Sequence, residues 1–176
     1  ALSIQYVAQS LSTNTQLYQS PRQHQQLLIA ETQTQGHGQF ERSWHSVQGD
    51  LIFSLGLRLP LEKISALSIR VGLALVQTCR HLGWQTQLKW PNDLIGQTKT
   101  GLGKLAGILV QAHPQEINHT RWVVIGVGLN IPARTKQANL RADAAFPAMG
   151  LAQMDDSWHP ENLVAGKREA LLMHLV

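Results

Sequence analysis

Two apolar, β-rich segments near the middle of the chain constrain the fold more than any other feature of the sequence. They run over residues 105–111 and 122–131, and a polar stretch at residues 113–120 separates them. Consecutive β-rich segments joined by a polar turn pair as an antiparallel hairpin. We therefore predict such a hairpin, with a long loop at its tip, inside a mixed or antiparallel sheet.

The remaining patterns predict further strands around one long helix. Apolar residues recur at helical spacing over residues 61–82, and Gly83 is placed to end that helix. Strands are predicted at residues 4–7, 26–30, 51–59, 88–90 and 94–95, with a long polar loop at residues 31–44 and a last helix from residue 161. This order predicts an α+β fold in which the sheet packs on helices.

The composition fits one globular domain in a reducing compartment. Of the 176 residues 43% are hydrophobic and 15% are charged, as in ordinary globular proteins. The single cysteine, Cys79, can form no internal disulfide, which favours the cytoplasm. No apolar stretch reaches the ~18 residues of a membrane helix, and the N-terminal residues lack a signal-peptide pattern. The net charge of +4 suits an anionic ligand but is too scattered to predict DNA binding.

Four short segments combine glycines with polar, charged or aromatic residues. Residues 33–44 hold two glycines that let the backbone approach a ligand, followed by Arg42 and Trp44 as partners for a phosphate and a purine. Residues 89–93 form a polar-aromatic turn, Lys104 opens the buried strand 104–110, and glycines interrupt the strand 126–131. Each segment alone also has a purely structural interpretation, because most Gly-x-Gly pairs are turns.

Taken in order, these segments resemble the successive motifs of the biotin–protein ligase family. The motifs are Ser-Thr-Asn at 12–14, the glycine-rich loop with Arg-x-Trp at 42–44, Lys-Trp-Pro-Asn-Asp at 89–93, Lys-Leu-Ala-Gly-Ile-Leu-Val at 104–110 and Gly-x-Gly-x-Asn at 126–130. The resemblance implies a class II synthetase-like catalytic domain over residues 1–176. It also implies that the family's N-terminal DNA-binding domain is missing and that its small C-terminal β domain is absent or truncated.

The function implied by the resemblance is ATP-dependent formation of biotinyl-5'-AMP and transfer of biotin to a lysine of a biotin carboxyl carrier protein. ATP and Mg²⁺ would be the cofactors, with Mg²⁺ carried by ATP and no metal ligated by protein side chains. Lys104 and Arg42 would be catalytic, and Asp93 would brace the site or meet the acceptor lysine. The carrier protein is the expected partner, DNA and membranes are not, and a homodimer is one alternative for the assembly.

The same resemblance implies which residues bind the substrates. Ser12, Thr13 and Gln33 would bond the ureido ring of biotin, and Gly107 and Gly126 would leave room for its ring and tail. The implied ATP-binding residues are Arg42, Trp44, Lys104 and Asn130, and the implied biotin-binding residues are Ser12, Thr13, Asn14, Gln33, Gly36, His37, Gly38, Gln39, Lys104, Gly107 and Gly126.

The glycine-rich loop departs from the family pattern, which usually reads Gly-Arg-Gly-Arg or Gly-Arg-Gly-Gln. His37 and Gln39 occupy the two arginine positions here. An imidazole is mostly neutral at pH 7 and an amide carries no charge, so up to two cationic contacts are absent. Two alternatives stay open: a lipoate or octanoate ligase or transferase, which the resemblance implies has the same fold, and a catalytically weak biotin-binding protein, which His37 and Gln39 suggest.

Overall fold

The fold is a seven-stranded mixed sheet with a helix on each face. The structure is a computed structural model, and it describes residues 2–19, 24–98, 101–134 and 146–154. Strand β1 pairs in parallel with β2, and every other neighbouring pair is antiparallel in the order β1-β2-β3-β7-β6-β5-β4. The elements are β1 Leu2–Ser10, α1 Thr13–Gln19, β2 Gln25–Gln33, β3 Leu51–Pro60, α2 Leu67–His81, β4 Thr86–Lys89, β5 Asp93–Thr98, β6 Gly101–Ile117 and β7 Thr120–Leu129.

The predicted central hairpin is confirmed as β6 and β7, but the long loop at its tip is wrong. The strands continue to a two-residue turn, Asn118 and His119, which have φ values of 50° and 56°. Two consecutive residues with positive φ form the kind of tight turn that matches the twist of a hairpin. The polar residues before this turn are exposed strand residues rather than loop residues, which is why their composition was misleading.

The long helix is confirmed but begins six residues later than predicted. A single 3-10 turn, Leu61–Lys63, comes first, and Ala66 then adopts a left-handed conformation with φ 55°, which interrupts the helical path before Leu67. Helix α2 ends at His81, and Gly83 follows with φ +95°, as expected for the stop. Its buried face packs in the main core against side chains of β3, β5, β6 and β7.

The short helix α1 packs on the opposite face of the sheet from α2. Its Leu17 contributes to a second, smaller core with Leu28, Trp122 and Val124. The buried indole of Trp122 also donates a hydrogen bond from Nε1 to the carbonyl of Leu17 at 3.3 Å. These contacts hold the C-terminal end of α1, and therefore set where its first turn lies above β3 and β7.

The predicted short strands are all present and are longer than predicted. Residues 31–33 belong to β2 rather than to the long loop, and Lys104 lies inside β6 rather than at its start, because β6 begins at Gly101. The helix predicted from residue 161 lies outside the described residues. Within the described residues, no helix is both long enough and apolar enough to cross a membrane.

Candidate active site

Three glycines form a floor on the face of the sheet that carries α1. Gly107 of β6 pairs with Gly128 of β7, and Gly126 of β7 pairs with Ser54 of β3, so their missing side chains would all point to the same side. A cavity of about 660 Å³ lies over this floor. Its volume is in the range of small-molecule sites, ~300–1,000 Å³.

At one end of the cavity, uncharged side chains form a hydrogen-bonded network. The amide oxygen of Gln33 accepts bonds from the backbone N and the hydroxyl of Thr13, at 2.7 and 3.0 Å. The Ser54 hydroxyl lies 2.8 Å from that of Thr13 and donates to Asn14 Oδ1 at 3.0 Å. Asn14 Nδ2 in turn donates to Gln111 Oε1 at 2.7 Å. The network joins α1 to β2, β3 and β6, so it fixes the first turn of α1 over the cavity.

The floor glycines lie directly beneath protein side chains, and the expectation that Gly107 and Gly126 also leave room for the ring and tail of biotin stays a prediction. A Cβ on Gly126 would lie 2.4 Å from Asn14 Oδ1. A Cβ on Gly107 would lie 2.9 Å from Trp44 Cζ3, and one on Gly128 would lie 2.5 Å from Trp44 Cε2. The glycines therefore let the Asn14 amide and the Trp44 indole approach the sheet, and those side chains line the cavity above it.

At the other end of the cavity, one carboxylate lies between two lysines. Lys104 Nζ is 2.7 Å from Asp93 Oδ1, and Lys89 Nζ is 3.6 Å from Asp93 Oδ2. Lys104 Nζ also lies 5.6 Å from the ring centre of Trp44. Because the Lys104 side chain keeps 31% of its surface exposed, it can exchange these contacts for contacts with an anion in the cavity.

The glycine-rich loop doubles back on itself beside the cavity. Trp44 N donates to the Gly36 carbonyl at 2.8 Å, and Gly38 N donates to the Arg42 carbonyl at 2.6 Å. Phe40 lies at the turn with φ 56°, is 85% exposed, and has the Arg42 guanidinium over its ring at 5.8 Å. The Trp44 indole, which lies against Gly107 and Gly128, joins this end of the loop to the sheet.

The structure brings fourteen of the fifteen site residues expected from the sequence to the lining of this one cavity. The exception is Gly36, which is buried behind it and whose Cβ would meet the Trp44 carbonyl at 2.7 Å. The lining residues are Ser12, Thr13, Asn14, Gln33, His37, Gly38, Gln39, Arg42, Trp44, Asp93, Lys104, Gly107, Gly126 and Asn130. Their binding and catalytic roles remain proposals.

Sequence reasoning missed four polar residues that organise the site: Asp50, Ser54, Gln111 and Arg134. Ser54 is fully buried at an inward position of an apolar strand. A polar residue at such a position needs hydrogen-bond partners, and this signal was available in the sequence. Asp50 and Arg134 are far apart in sequence and meet only in the folded protein, where their side chains form an ion pair.

Asn130 is held by the protein rather than directed freely toward a ligand. Its Nδ2 donates to the Lys104 carbonyl at 3.2 Å, and its Oδ1 accepts from Arg134 Nη2 at 2.9 Å. The same Arg134 nitrogen donates to Asp50 Oδ2. Burial raises the pKa of Asp50 above its usual range, although Arg134 and the backbone N–H groups of Val47 and Ile131 act in the opposite direction.

The charge of the cavity favours an anion. Among the described lining residues, four side chains are cationic, namely Arg42, Lys89, Lys104 and Arg134, and Asp93 is the sole carboxylate. No group of three or more His, Cys, Asp or Glu side chains in the described ranges could hold a metal ion.

Comparisons with known proteins agree on one family. The family model described as the biotin/lipoate A/B protein ligase family matches residues 6–130. The chain is 38% identical to the bifunctional ligase/repressor BirA of Bacillus subtilis over 109 residues, covering 60% of this chain and 32% of that protein. It is 34% identical to the biotin–[acetyl-CoA-carboxylase] ligase of Mycobacterium tuberculosis over 162 residues, covering 85% of this chain and 56% of that protein. It thus spans from about a third to just over half of these relatives.

Solved structures show the same fold. The biotin protein ligase from Aquifex aeolicus in complex with biotin and ATP superposes with a TM-score of 0.67 at 21% identity, covering 98% of this chain and 70% of that one. A lipoate protein ligase from Thermoplasma acidophilum superposes with a TM-score of 0.62 at 12% identity, covering 98% and 81%. With the family model matching residues 6–130, the chain belongs to the biotin/lipoate A/B protein ligase family.

Proposed function

We propose that this chain carries the catalytic site of an ATP-dependent biotin–protein ligase. It would form biotinyl-5'-AMP and then transfer biotin to a lysine of a biotin carboxyl carrier protein. The observation that carries the proposal is a single cavity with two chemically different ends. The buried network of Thr13 and Ser54 lies at one end, and Lys104 lies at the other. The relative that is named as a biotin–[acetyl-CoA-carboxylase] ligase supports the same choice.

The uncharged end is suited to the ureido ring of biotin, which has one carbonyl acceptor and two N–H donors. The Thr13 hydroxyl contacts Gln33 and Ser54, and the Ser54 hydroxyl contacts Thr13 and Asn14. These three hydroxyl contacts share only two hydroxyl hydrogens, so one contact lacks a hydrogen at any moment. Each hydroxyl oxygen therefore keeps at least one free lone pair, which can accept from a ureido N–H group while the network stays intact.

The cationic end is suited to activation of the biotin carboxylate. A carboxylate oxygen attacks the α-phosphorus of MgATP, the bond to the β-phosphate oxygen breaks, and pyrophosphate leaves. Lys104 would leave its contact with Asp93 and stabilise the negative charge shared by the carboxylate and the α-phosphate. Trp44 offers a flat face for adenine beside Lys104, and Arg42 adds a cation at the cavity wall.

Transfer of biotin needs an uncharged acceptor amine. The lysine of the carrier attacks the acyl carbon of the mixed anhydride, and AMP leaves with the electron pair of the broken bond. Asp93 would then be free of Lys104 and would hold the incoming ammonium or accept its proton. We propose a biotin carboxyl carrier protein as the acceptor and the cytoplasm as the compartment, the latter supported by the free, buried Cys79.

A lipoate substrate is the second candidate because a lipoate ligase shares this fold. The dithiolane ring of lipoate has no strong hydrogen-bonding group, so it would leave the network around Ser54 and Asn14 buried against an apolar ring. The network's own hydrogen bonds would remain, but the hydroxyl lone pairs of Thr13 and Ser54 that could accept from the ureido N–H groups of biotin would meet no donor on lipoate. The network therefore favours biotin over lipoate.

A labelling experiment tests the proposal and separates the alternatives. The purified chain would be incubated with MgATP, a biotin carrier domain and a lipoyl carrier domain, and supplied with biotin or lipoate in separate reactions. We expect biotin on the biotin carrier, dependent on ATP, and no lipoate transfer. Lipoate transfer alone would contradict the substrate assignment. Biotin binding without pyrophosphate release or labelling would identify a binding protein that is not an active ligase.

A further inference from the structure

A buried ion pair beside the cavity joins Asp50, the residue before β3, to Arg134, which follows β7. Asp50 and Arg134 keep 1% and 5% of their side-chain surfaces exposed. Asp50 Oδ2 accepts from Val47 N at 2.9 Å and from Arg134 Nη2, and Asp50 Oδ1 accepts from Ile131 N at 3.1 Å. A buried carboxylate with this many donors is strongly oriented, and so is the guanidinium paired with it.

The orientation of Arg134 sets the orientation of the Asn130 amide. Arg134 Nη2 lies 2.9 Å from one terminal atom of Asn130. Because a guanidinium can only donate, that atom of Asn130 must be the oxygen, and the amide nitrogen must face the Lys104 carbonyl, which it meets at 3.2 Å. Without Arg134 the amide could turn by 180°, and its oxygen would then face the Lys104 carbonyl oxygen.

The backbone of Lys104 is held by this amide and by the segment that follows Phe146. The Lys104 carbonyl accepts from Asn130 Nδ2 and from Met149 N, the latter at 2.9 Å, and Lys104 N donates to the Pro147 carbonyl at 2.7 Å. This matters because β5 and β6 change register between Leu94 and Ile95, next to Lys104. The regular strand pairing therefore does not fix the lysine by itself.

We propose that Asp50 and Arg134 are positioning residues for Lys104, and that they act through the Asn130 amide. The proposal rests on the proposed function, because it gives Lys104 the reacting carboxylate and phosphate as partners. A displacement of ~1 Å at a group that contacts the reacting atoms can cost about a hundredfold in rate. Loss of Arg134 would let the Lys104 backbone shift, so it should reduce turnover while the network around Thr13 and Ser54 keeps its affinity for biotin.

The test compares Arg134→Met with Arg121→Met, a change of the same kind in a half-exposed arginine that pairs with Glu116 at 3.7 Å. For Arg134→Met we expect kcat for biotin-dependent pyrophosphate release to fall about tenfold to a hundredfold. The KM for ATP and the Kd for biotin should change less than about threefold, which is under ~0.7 kcal/mol. Arg121→Met should match the unmodified chain. In a Lys104→Met background, Arg134→Met should have no further effect on the rate.

Hydrogen exchange supplies a readout that does not depend on activity. The amides of Lys104 and Met149 should exchange at least tenfold faster in Arg134→Met, with little change in the amides of β3. If Arg134→Met does not fold, Arg134→Lys gives the same comparison, because the lysine ammonium lies one bond closer to the backbone than Nη2, the nitrogen that contacts both Asp50 and Asn130. Unchanged turnover and exchange, or a raised KM for ATP with unchanged kcat, would overturn the inference. An inactive unmodified chain would instead overturn the proposed function, and the exchange data would still decide the positioning.

Discussion

Replacement of Ser54 by alanine should weaken both the fold and the binding of biotin, because this hydroxyl links two sides of the polar network. Ser54 is fully buried, and it contacts the Thr13 hydroxyl at 2.8 Å and Asn14 Oδ1 at 3.0 Å. Each hydrogen bond contributes about 0.5–1.5 kcal/mol, so the loss of two predicts a decrease of about 1–3 kcal/mol in the free energy of unfolding. For a chain of this size that corresponds to roughly 2–12 °C in Tm.

The same change should raise the Kd for biotin, because it leaves Thr13 and Asn14 free to turn away from the ligand. An equal loss of about 1–3 kcal/mol in binding predicts a five- to 150-fold increase in Kd. Isothermal titration with biotin and thermal unfolding of Ser54→Ala would measure both effects. Ser3→Ala is a matched control, since Ser3 is an exposed serine in strand β1. A variant that is folded and binds biotin with unchanged Kd would refute the role given to the network.

Three further predictions concern the glycine-rich loop and the free thiol. Gln39→Arg adds a cation at the cavity wall, so escape of biotinyl-5'-AMP should slow by roughly ten- to a hundredfold in a dissociation assay; equal rates would mean that the substitution is silent. Residues 34–43 should fold over bound biotin, so their amides should exchange more slowly when biotin is present. Equal exchange rates with and without biotin would contradict this closure of the loop. Burial raises the pKa of Cys79 to about 11, so the thiol stays protonated at pH 8 and iodoacetamide should modify it only after unfolding; rapid labelling of the folded chain would contradict its burial.

The sequence predicted elements whose patterns are local and missed those that depend on pairing. The helical spacing before Gly83 gave the end of α2 correctly, because the glycine adopts the positive φ that a stop requires. The start was wrong because Ala66 adopts a left-handed conformation that alanine rarely favours, and no local signal marks it. The tip of the central hairpin was taken for a loop because its exposed strand residues are polar on both faces.

The candidate site was predicted as a set of residues, and the structure shows how they are arranged. The motifs placed Thr13, Gln33 and Lys104 in one site, and all three line one cavity. The part played by the glycines could not be predicted, because the sequence does not reveal that the Trp44 indole lies across Gly128. The ion pair of Asp50 and Arg134 could not be predicted either, because the two residues lie 84 positions apart in the sequence. Each residue taken alone would be predicted to be an exposed charged residue.

Direct detection of biotinyl-5'-AMP tests whether the cavity activates a carboxylate at Lys104. The purified chain with biotin and MgATP should accumulate the adenylate and release one pyrophosphate for each molecule formed. Lys104→Ala should lower the rate by about a hundredfold to a thousandfold, as expected when a preorganised charge at the reacting atoms is removed. Lys89→Ala should lower the rate much less, because Lys89 Nζ contacts the other carboxylate oxygen of Asp93, Oδ2, at 3.6 Å. Activation at Lys104 would be contradicted by a chain that makes no adenylate, or by a folded Lys104→Ala variant that makes it at the unmodified rate.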